Sequence, residues 1–136
     1  KVPYICLDFN PTQVEKLKSK NISAIFGDMG DPEVLDGLNL ADAIMVISTA
    51  SNLDDNMYLL HELKMKSVNA PTIIRAETIA DAKQLYKAGA DYVIIPEIMA
   101  GDLLNEKLKQ NFVSKSYFKN RSKVELDKLN QKDLAA

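Results

Sequence analysis

The chain has 136 residues, 46% of them hydrophobic and 26% charged, with a net charge of -2. That is one domain with room for a real core. The charge leaves no basic footprint for a nucleic-acid groove, so no nucleic-acid partner is expected, and no apolar run approaches the ~20 residues of a membrane span. The single cysteine, Cys6, forms no internal disulfide and fits a reducing compartment. Lys1 in place of an initiator methionine reads as a piece of something longer.

In chain order, residues 2–7 ("VPYICL") read as a first strand. Asn10 then suits an N-cap, with Pro11 as first helical residue and Val14 and Leu17 sharing a face. Residues 22–26 read as a second strand, and Asp31-Pro32 repeats the helix-start device with Val34, Leu35 and Leu38 on the buried side. Residues 42–48 form a third strand, followed by a helical stripe of Leu53, Met57, Leu60 and Leu63. After a fourth strand at 71–76, Thr78 caps a helix whose apolar face carries Ile79, Ala82, Leu85 and Tyr86, and Gly89 ends it. Residues 91–95 make the fifth strand. Beyond Pro96 an amphipathic helix spans 98–111, with Ile98, Leu103, Leu104 and Leu108. "SYFKNRS" then intervenes before a charged final helix over 122–136, opened by a Ser122/Glu125 capping box. Val124, Leu126 and Leu129 are too few for that helix to stand alone, so it packs on a partner surface or frays.

Most of the strands are continuously apolar and β-branched, the texture of strands covered on both faces. Strand–helix alternation with short connections predicts an α/β fold, a parallel sheet joined by right-handed crossovers.

Candidate chemistry gathers at the strand ends. Asp8 closes the first strand, and two readings stand open: a turn acid capping the next helix, or an acceptor for ribose hydroxyls. A glycine-rich dinucleotide loop lies roughly 20 residues before such an acid, yet only seven residues precede Asp8 and no later stretch matches GxGxxG. "AIFGDMGDPEVL" (24–35) is either turn chemistry or the mouth of a small-ligand site. Arg75 and Glu77 close the fourth strand as an Arg–acid ion pair or as ligand contacts. His61 stands mid-helix without ligand-spaced partners, and Asp54 and Asp55 suit the first turn of a helix. No nucleophile–base pair or metal cluster has convincing spacing, so no enzyme chemistry is expected.

The stretches "LDFNPTQVEKL", "IFGDMGDPEVL", "ADAIMVISTASNLDDNMYL", "IIRAE" and "AGADYVIIPE" follow the order and spacing of an RCK domain. This is the regulator-of-potassium-conductance family, also called the TrkA N-terminal domain, and the chain resembles it over roughly residues 4 to 97. The resemblance implies a Rossmann-like parallel sheet that lacks its first strand and glycine-rich loop, followed by a C-terminal helical segment. It divides the chain into a partial domain at 1–97 and a helical crossover or dimerisation segment with a charged tail at 98–136.

The resemblance also implies a cytosolic regulatory domain of a potassium channel, potassium transporter or cation/proton antiporter. Such a domain sits at the cytosolic face of the membrane and assembles into homo-oligomers. The transport pore is on the same or a separate chain. Family members bind NAD(H) or adenine nucleotides (ATP, ADP or AMP), and some bind Ca²⁺. Carried onto this sequence, Asp8 holds the adenosine ribose, and Gly27 and Asp28 lie beside the adenine. Ser48 and Thr49 let sugar and phosphates approach, and Arg75 and Glu77 contact phosphate or a neighbouring subunit. Arg75 departs from the calcium-gated pattern, and Glu77 alone is a poor Ca²⁺ site. "FNP" after Asp8 supplies no cation for a 2′-phosphate, which favours NAD-type or adenosine nucleotides over NADP. Asn56 stands at a family motif position and braces the loop after "ISTAS".

Without the central strand the sheet has unpaired apolar edges, so the expectation is a fragment, or a strand supplied by another chain. Nucleotide binding by the chain as it stands is expected to be weak or absent. Two other readings are a fragment of an NAD-dependent dehydrogenase and a scaffold subunit with a degenerate site.

Overall fold

The structure, a computed structural model, describes residues 2–111 and 114–135. The elements are β1 (Cys6–Asp8), α1 (Pro11–Ser19), β2 (Ala24–Phe26), α2 (Pro32–Asp36), a 3-10 turn (Leu40–Asp42), β3 (Val46–Ser48), α3 (Leu53–Met65), β4 (Thr72–Arg75), α4 (Ile79–Ala88), β5 (Tyr92–Ile94), α5 (Pro96–Asn111) and α6 (Lys115–Ala135).

Local chemistry starts the helices. Asn10 Oδ1 accepts the N–H groups of Thr12 at 3.0 Å and Gln13 at 3.4 Å, ahead of Pro11 at the first helical position. Asp31 Oδ1 accepts Glu33 N–H at 3.0 Å, again with proline next. Asn52 caps α3 through Asp55 N–H. Thr78 and Asp81 form a reciprocal capping box on α4, and Gly89 ends that helix at φ 108°, a left-handed conformation that glycine adopts without steric cost.

All strand pairs are parallel. β1 pairs with β2, and β4 lies between β3 and β5. The core lies on the three-stranded side, where Leu59, Leu60 and Leu63 of α3 and Leu85 of α4 cluster with Ile74 of β4 and Val93 of β5. The chain therefore has the expected α/β, Rossmann-like parallel architecture, but in two half-sheets, β1–β2 and β3–β4–β5, with no strand between them among the described residues.

The strands are shorter than their apolar runs because a run becomes a strand only where a neighbour pairs with it. Pairing of the 2–7 run begins at Cys6, opposite Ala24. Asp42, the first residue of the expected third strand at 42–48, ends the 3-10 turn instead, and the strand itself begins at Val46. On α4, Ala82 and Leu85 are buried as expected, but Ile79 and Tyr86 are 57% and 47% exposed. The Tyr86 hydroxyl accepts Val93 N–H at 3.0 Å, so its polar tip is bonded to the outer strand β5.

The segment from Glu97 onward is a second compact unit holding α5 and α6. Here the capping-box expectation fails. Helix α6 starts after Ser114, whose Oγ accepts Tyr117 N–H at 3.2 Å. Ser122 lies within the helix and donates to Lys119 C=O at 2.9 Å. Glu125 pairs with Arg121 one turn earlier and with Lys128, so it is engaged along the helix rather than at its start. Lys1 and Ala136, which the expected boundaries included, lie outside the described residues.

One polar clasp holds the starts of β4 and β5 together. Asp91 Oδ2 accepts Thr72 N–H at 2.7 Å and the Thr72 hydroxyl at 3.0 Å, and Asp91 N–H donates back to that hydroxyl oxygen. The Thr72 backbone N–H, then its hydroxyl, hold the Asp91 carboxyl below its ordinary pKa. A depressed folded pKa contributes stability that is complete above the ordinary carboxylate range and is lost as pH falls through the folded value. The stability difference between the wild type and Asp91→Asn should therefore be constant from pH 7 to 5 and shrink below about pH 4. Urea unfolding across that range checks it.

Candidate functional site

Because the strands are parallel, their C-terminal ends lie along one edge. Asp8 ends β1, Gly27 and Asp28 follow β2, Ser48 and Thr49 end β3, and Arg75 and Glu77 end β4. Five of these seven residues meet in one cleft of about 730 Å³ between the half-sheets: Asp8, Gly27, Asp28, Ser48 and Thr49. Arg75 and Glu77 lie outside its lining.

Each acid has a local role that leaves part of its acceptor capacity open. Asp8 Oδ1 accepts Asn10 N–H at 2.8 Å, the turn bond expected of an acid ahead of a helix. Asp28 Oδ1 accepts Gly30 N–H at 2.8 Å. A carboxylate offers about four lone-pair sites, so one turn bond does not exhaust either group. The turn-acid and ligand-acceptor readings are thus compatible at both positions.

Gly27 is fixed by packing. A Cβ there would stand 2.8 and 2.9 Å from the two methyl carbons of Val34 and 3.3 Å from Leu7. The backbone of residue 27 therefore lies close against α2, at the cleft.

Ser48 is buried and donates its hydroxyl to Asn56 Oδ1 at 2.6 Å. Asn56, fully buried on α3, donates through Nδ2 to Ala50 C=O at 2.9 Å and Arg75 C=O at 3.2 Å. One amide thereby ties the loop after β3 to the end of β4 and sets the course of Thr49. Ser48 is turned to this brace, and Thr49 is the exposed hydroxyl of the pair.

The ion-pair reading of Arg75 does not hold: among the described residues no carboxylate pairs with it, and its Nε is buried without a hydrogen-bond partner. Glu77 and His61 are exposed. No group of three or more metal-ligating side chains occurs among the described residues.

Among the cleft residues outside the sequence-read site are Phe9, Asp42 and Asp55. Phe9, 76% exposed, lines the cleft beside Asp8. Asp55 also lines it, and a Cβ on Gly30 would stand 3.4 Å from Asp28 Oδ1 and 3.6 Å from Asp55 Oδ1, so both carboxylates flank that glycine. Helix-start chemistry explained Asp55 locally, and nothing in the chain order signals its approach to Asp28. A second hollow of about 430 Å³ lies at the opposite strand ends, beside Thr72 and Asp91.

Asn56→Ala leaves Ser48 Oγ and two carbonyls without their partner and should cost about 2–3 kcal/mol in urea unfolding. Gly27→Ala should cost about 1–3 kcal/mol by overpacking against the stiff Val34 side chain.

The TrkA-N domain family model matches residues 1–96. A K(+) efflux antiporter KefB of Alkalimonas amylolytica is 28% identical over 103 residues, covering 76% of this chain and 16% of that protein. Potassium channel protein 1 of Methanocaldococcus jannaschii is 26% identical over 102 residues, covering 74% of this chain and 31% of that protein. The chain thus spans less than a third of the length of either relative. Among solved structures, the TrkA-N domain of the Escherichia coli inner membrane protein ybaL has a TM-score of 0.73 at 20% identity, covering 79% of each chain, and shows the shared fold. The GsuK channel bound to NAD has a TM-score of 0.56 at 28% identity, covering 68% of this chain and 16% of that one. GsuK is also solved bound to ADP, at 27% identity and a TM-score of 0.56, covering 67% of this chain and 24% of that one. With the family match spanning the strand–helix region, its five parallel strands and the cleft at their C-terminal ends, this chain belongs to the TrkA-N domain family.

Proposed function

We propose that this chain is a nucleotide-sensing regulatory domain of a potassium channel, potassium transporter or cation antiporter, and that it catalyses no reaction of its own. The observation that carries the reading is the convergence of Asp8, Gly27, Asp28 and Thr49 on one cleft at the C-terminal ends of parallel strands. Open α/β sheets bind ligands at that edge. Family membership, relatives named for potassium efflux and potassium channels, and a channel homologue solved with NAD and with ADP support the assignment.

The lining chemistry favours the nucleoside end of the ligand. Asp8, Asp28, Asp42 and Asp55 supply acceptors, which suit ribose hydroxyls and an amino group, and among the described residues no Lys or Arg lines the cleft. In this reading Asp8 holds the adenosine ribose and Asp28 accepts from the adenine amino group. Phe9 offers an apolar surface beside them. Phosphates need a cation or a cradle of backbone N–H groups. Arg75, with its buried and unpartnered Nε at the next strand end, is the cation nearest in topology, and Glu77 beside it serves phosphate-side or subunit contacts.

NAD(H) or an adenine nucleotide binds here and biases a membrane transport unit, on the same or a separate polypeptide, at the cytosolic face of the membrane. Such a bias requires different nucleotide affinity in the two transport states. The segment over 98–136, with Leu103 and Leu104 exposed on α5, serves contacts between copies in a homo-oligomer. Among the described residues no helix is long and apolar enough to cross a membrane.

Calorimetry with NADH, NAD, ATP, ADP and AMP tests the reading. The full-length protein should bind at least one of them, and Asp8→Ala should weaken that binding roughly ten- to hundredfold through loss of charge-assisted hydrogen bonds. The 136-residue chain should bind weakly, since no glycine-rich phosphate cradle lies within it. Absence of binding by any of the five, or unchanged affinity in Asp8→Ala, would contradict the sensor. Submicromolar affinity of the 136-residue chain would overturn the expected weakness.

A further inference from the structure

Helix α4 turns back into β5 through Gly89, and Ala90 N–H donates to Leu85 C=O at 3.0 Å across that turn. The last turn of α4 therefore lies beside the strand it precedes. Of its two large apolar residues, Leu85 is fully buried, whereas Tyr86 is 47% exposed. Burial does not account for an aromatic ring there. The hydrogen bond from Val93 N–H to the Tyr86 hydroxyl does.

Register shows what that N–H is. β5 pairs with β4, and Tyr92, Val93 and Ile94 stand opposite Ile73, Ile74 and Arg75. Ala76 N–H donates to Ile94 C=O at 2.8 Å, so Ile94, and Tyr92 two residues before it, turn their backbone groups toward β4. Val93 between them turns its N–H and C=O the other way, where among the described residues no strand pairs with β5. In a strand of three residues, Val93 is the one residue whose N–H faces outward. Pro96 then starts α5 and ends the extended backbone.

We propose that Tyr86 is an edge guard: its hydroxyl takes the one outward N–H of β5 and keeps a strand of a second copy from extending the sheet there. An open strand edge is a template for pairing with another chain. The Tyr86 oxygen, 3.0 Å from Val93 N, stands where the carbonyl oxygen of a next strand would lie. An added strand would satisfy Val93 but present a new unpaired edge of its own. A side-chain hydroxyl satisfies the same N–H and ends the ladder. A phenol can accept one N–H and still offer its own proton to water, which suits a half-exposed ring. A single side chain is sufficient because the strand is so short. Tyr86, Tyr92 and Val93 all lie outside the lining of the nucleotide cleft, so the guard does not depend on a ligand.

Tyr86→Phe in the intact protein tests it, since it keeps the ring and removes the acceptor. Hydrogen exchange with residue-level fragmentation should show the Val93 amide at least about tenfold faster than in the wild type, with the amides of 73–75 in β4 unchanged. Size exclusion with light scattering should show larger species in Tyr86→Phe between about 1 and 100 μM, where the wild type keeps its own oligomeric size. Tyr86→Phe/Tyr92→Lys, with a charge on the edge strand, should return to wild-type size. Unchanged Val93 exchange in Tyr86→Phe would overturn the proposal, because something other than the hydroxyl would then cover the edge. An unchanged size distribution in Tyr86→Phe, or larger species that persist in the double variant, would overturn it as well.

Discussion

A parallel ladder constrains everything else in this molecule. Each strand must be followed by a crossover before the next can start in the same direction, and so every strand ends on the same side of the sheet. Asp8, Gly27, Thr49 and Arg75 are far apart in sequence, yet each is the last residue of a strand or follows one directly. The crossover helices set the depth of that edge. Helix α2 packs so close to residue 27 that only glycine fits beneath Val34. Helix α3 places Asn56, with no exposed surface, where one amide satisfies the Ser48 hydroxyl and two carbonyls. Inside a low-dielectric core such a satisfied amide fixes geometry as well as energy.

The division of the sheet into two halves gives the two sides of the cleft different standing. On the β3–β4–β5 side, α3 and α4 bury a continuous set of Leu and Ile side chains against β4, and the Thr72–Asp91 clasp locks the strand starts. The β1–β2 side has a thinner core, with Val14 and Ala24 buried and the β1 strand half-exposed throughout. The proposed nucleotide contacts fall on both sides, so whatever joins the half-sheets also sets the spacing between Asp8 and Thr49. Assembly and ligand recognition would then be governed by the same gap.

Much of this was legible in the sequence because the signals are local. Asn10-Pro11, Asp31-Pro32, Thr78 and Gly89 mark helix ends by chemistry that acts within four residues, and the structure uses all of them. Failures came where a local pattern had a non-local or competing answer. Ser122-x-x-Glu125 has capping-box spacing, but the helix had already begun at Lys115, capped by Ser114, and Arg121 one turn earlier engages the acid. Helical periodicity placed Ile79 and Tyr86 with Leu85, yet the face covered by the sheet is narrower than the apolar stripe. Five of the seven proposed site residues meet in the cleft because they end or follow β1, β2 and β3, the strands around the gap, whereas Arg75 ends β4, one strand further away. Asp55 could not be read as a cleft residue, since its approach depends on how α3 lies over the sheet, whereas Phe9 directly follows the end of β1 and carries no polar group to mark it. The family resemblance supplied the roles of the acids, whereas residue chemistry alone left Asp8 and Asp28 as turn acids or ligand acceptors.

The central claim is that an adenine nucleotide sits at the C-terminal ends of β1, β2 and β3. Photolabelling the full-length protein with 8-azido-ADP, followed by peptide mapping, tests it most directly. Label should concentrate in peptides 24–30 and 46–50 and be competed by unlabelled ADP. Competed label confined to 60–72 and 88–91, around the hollow at the opposite strand ends, would contradict the account.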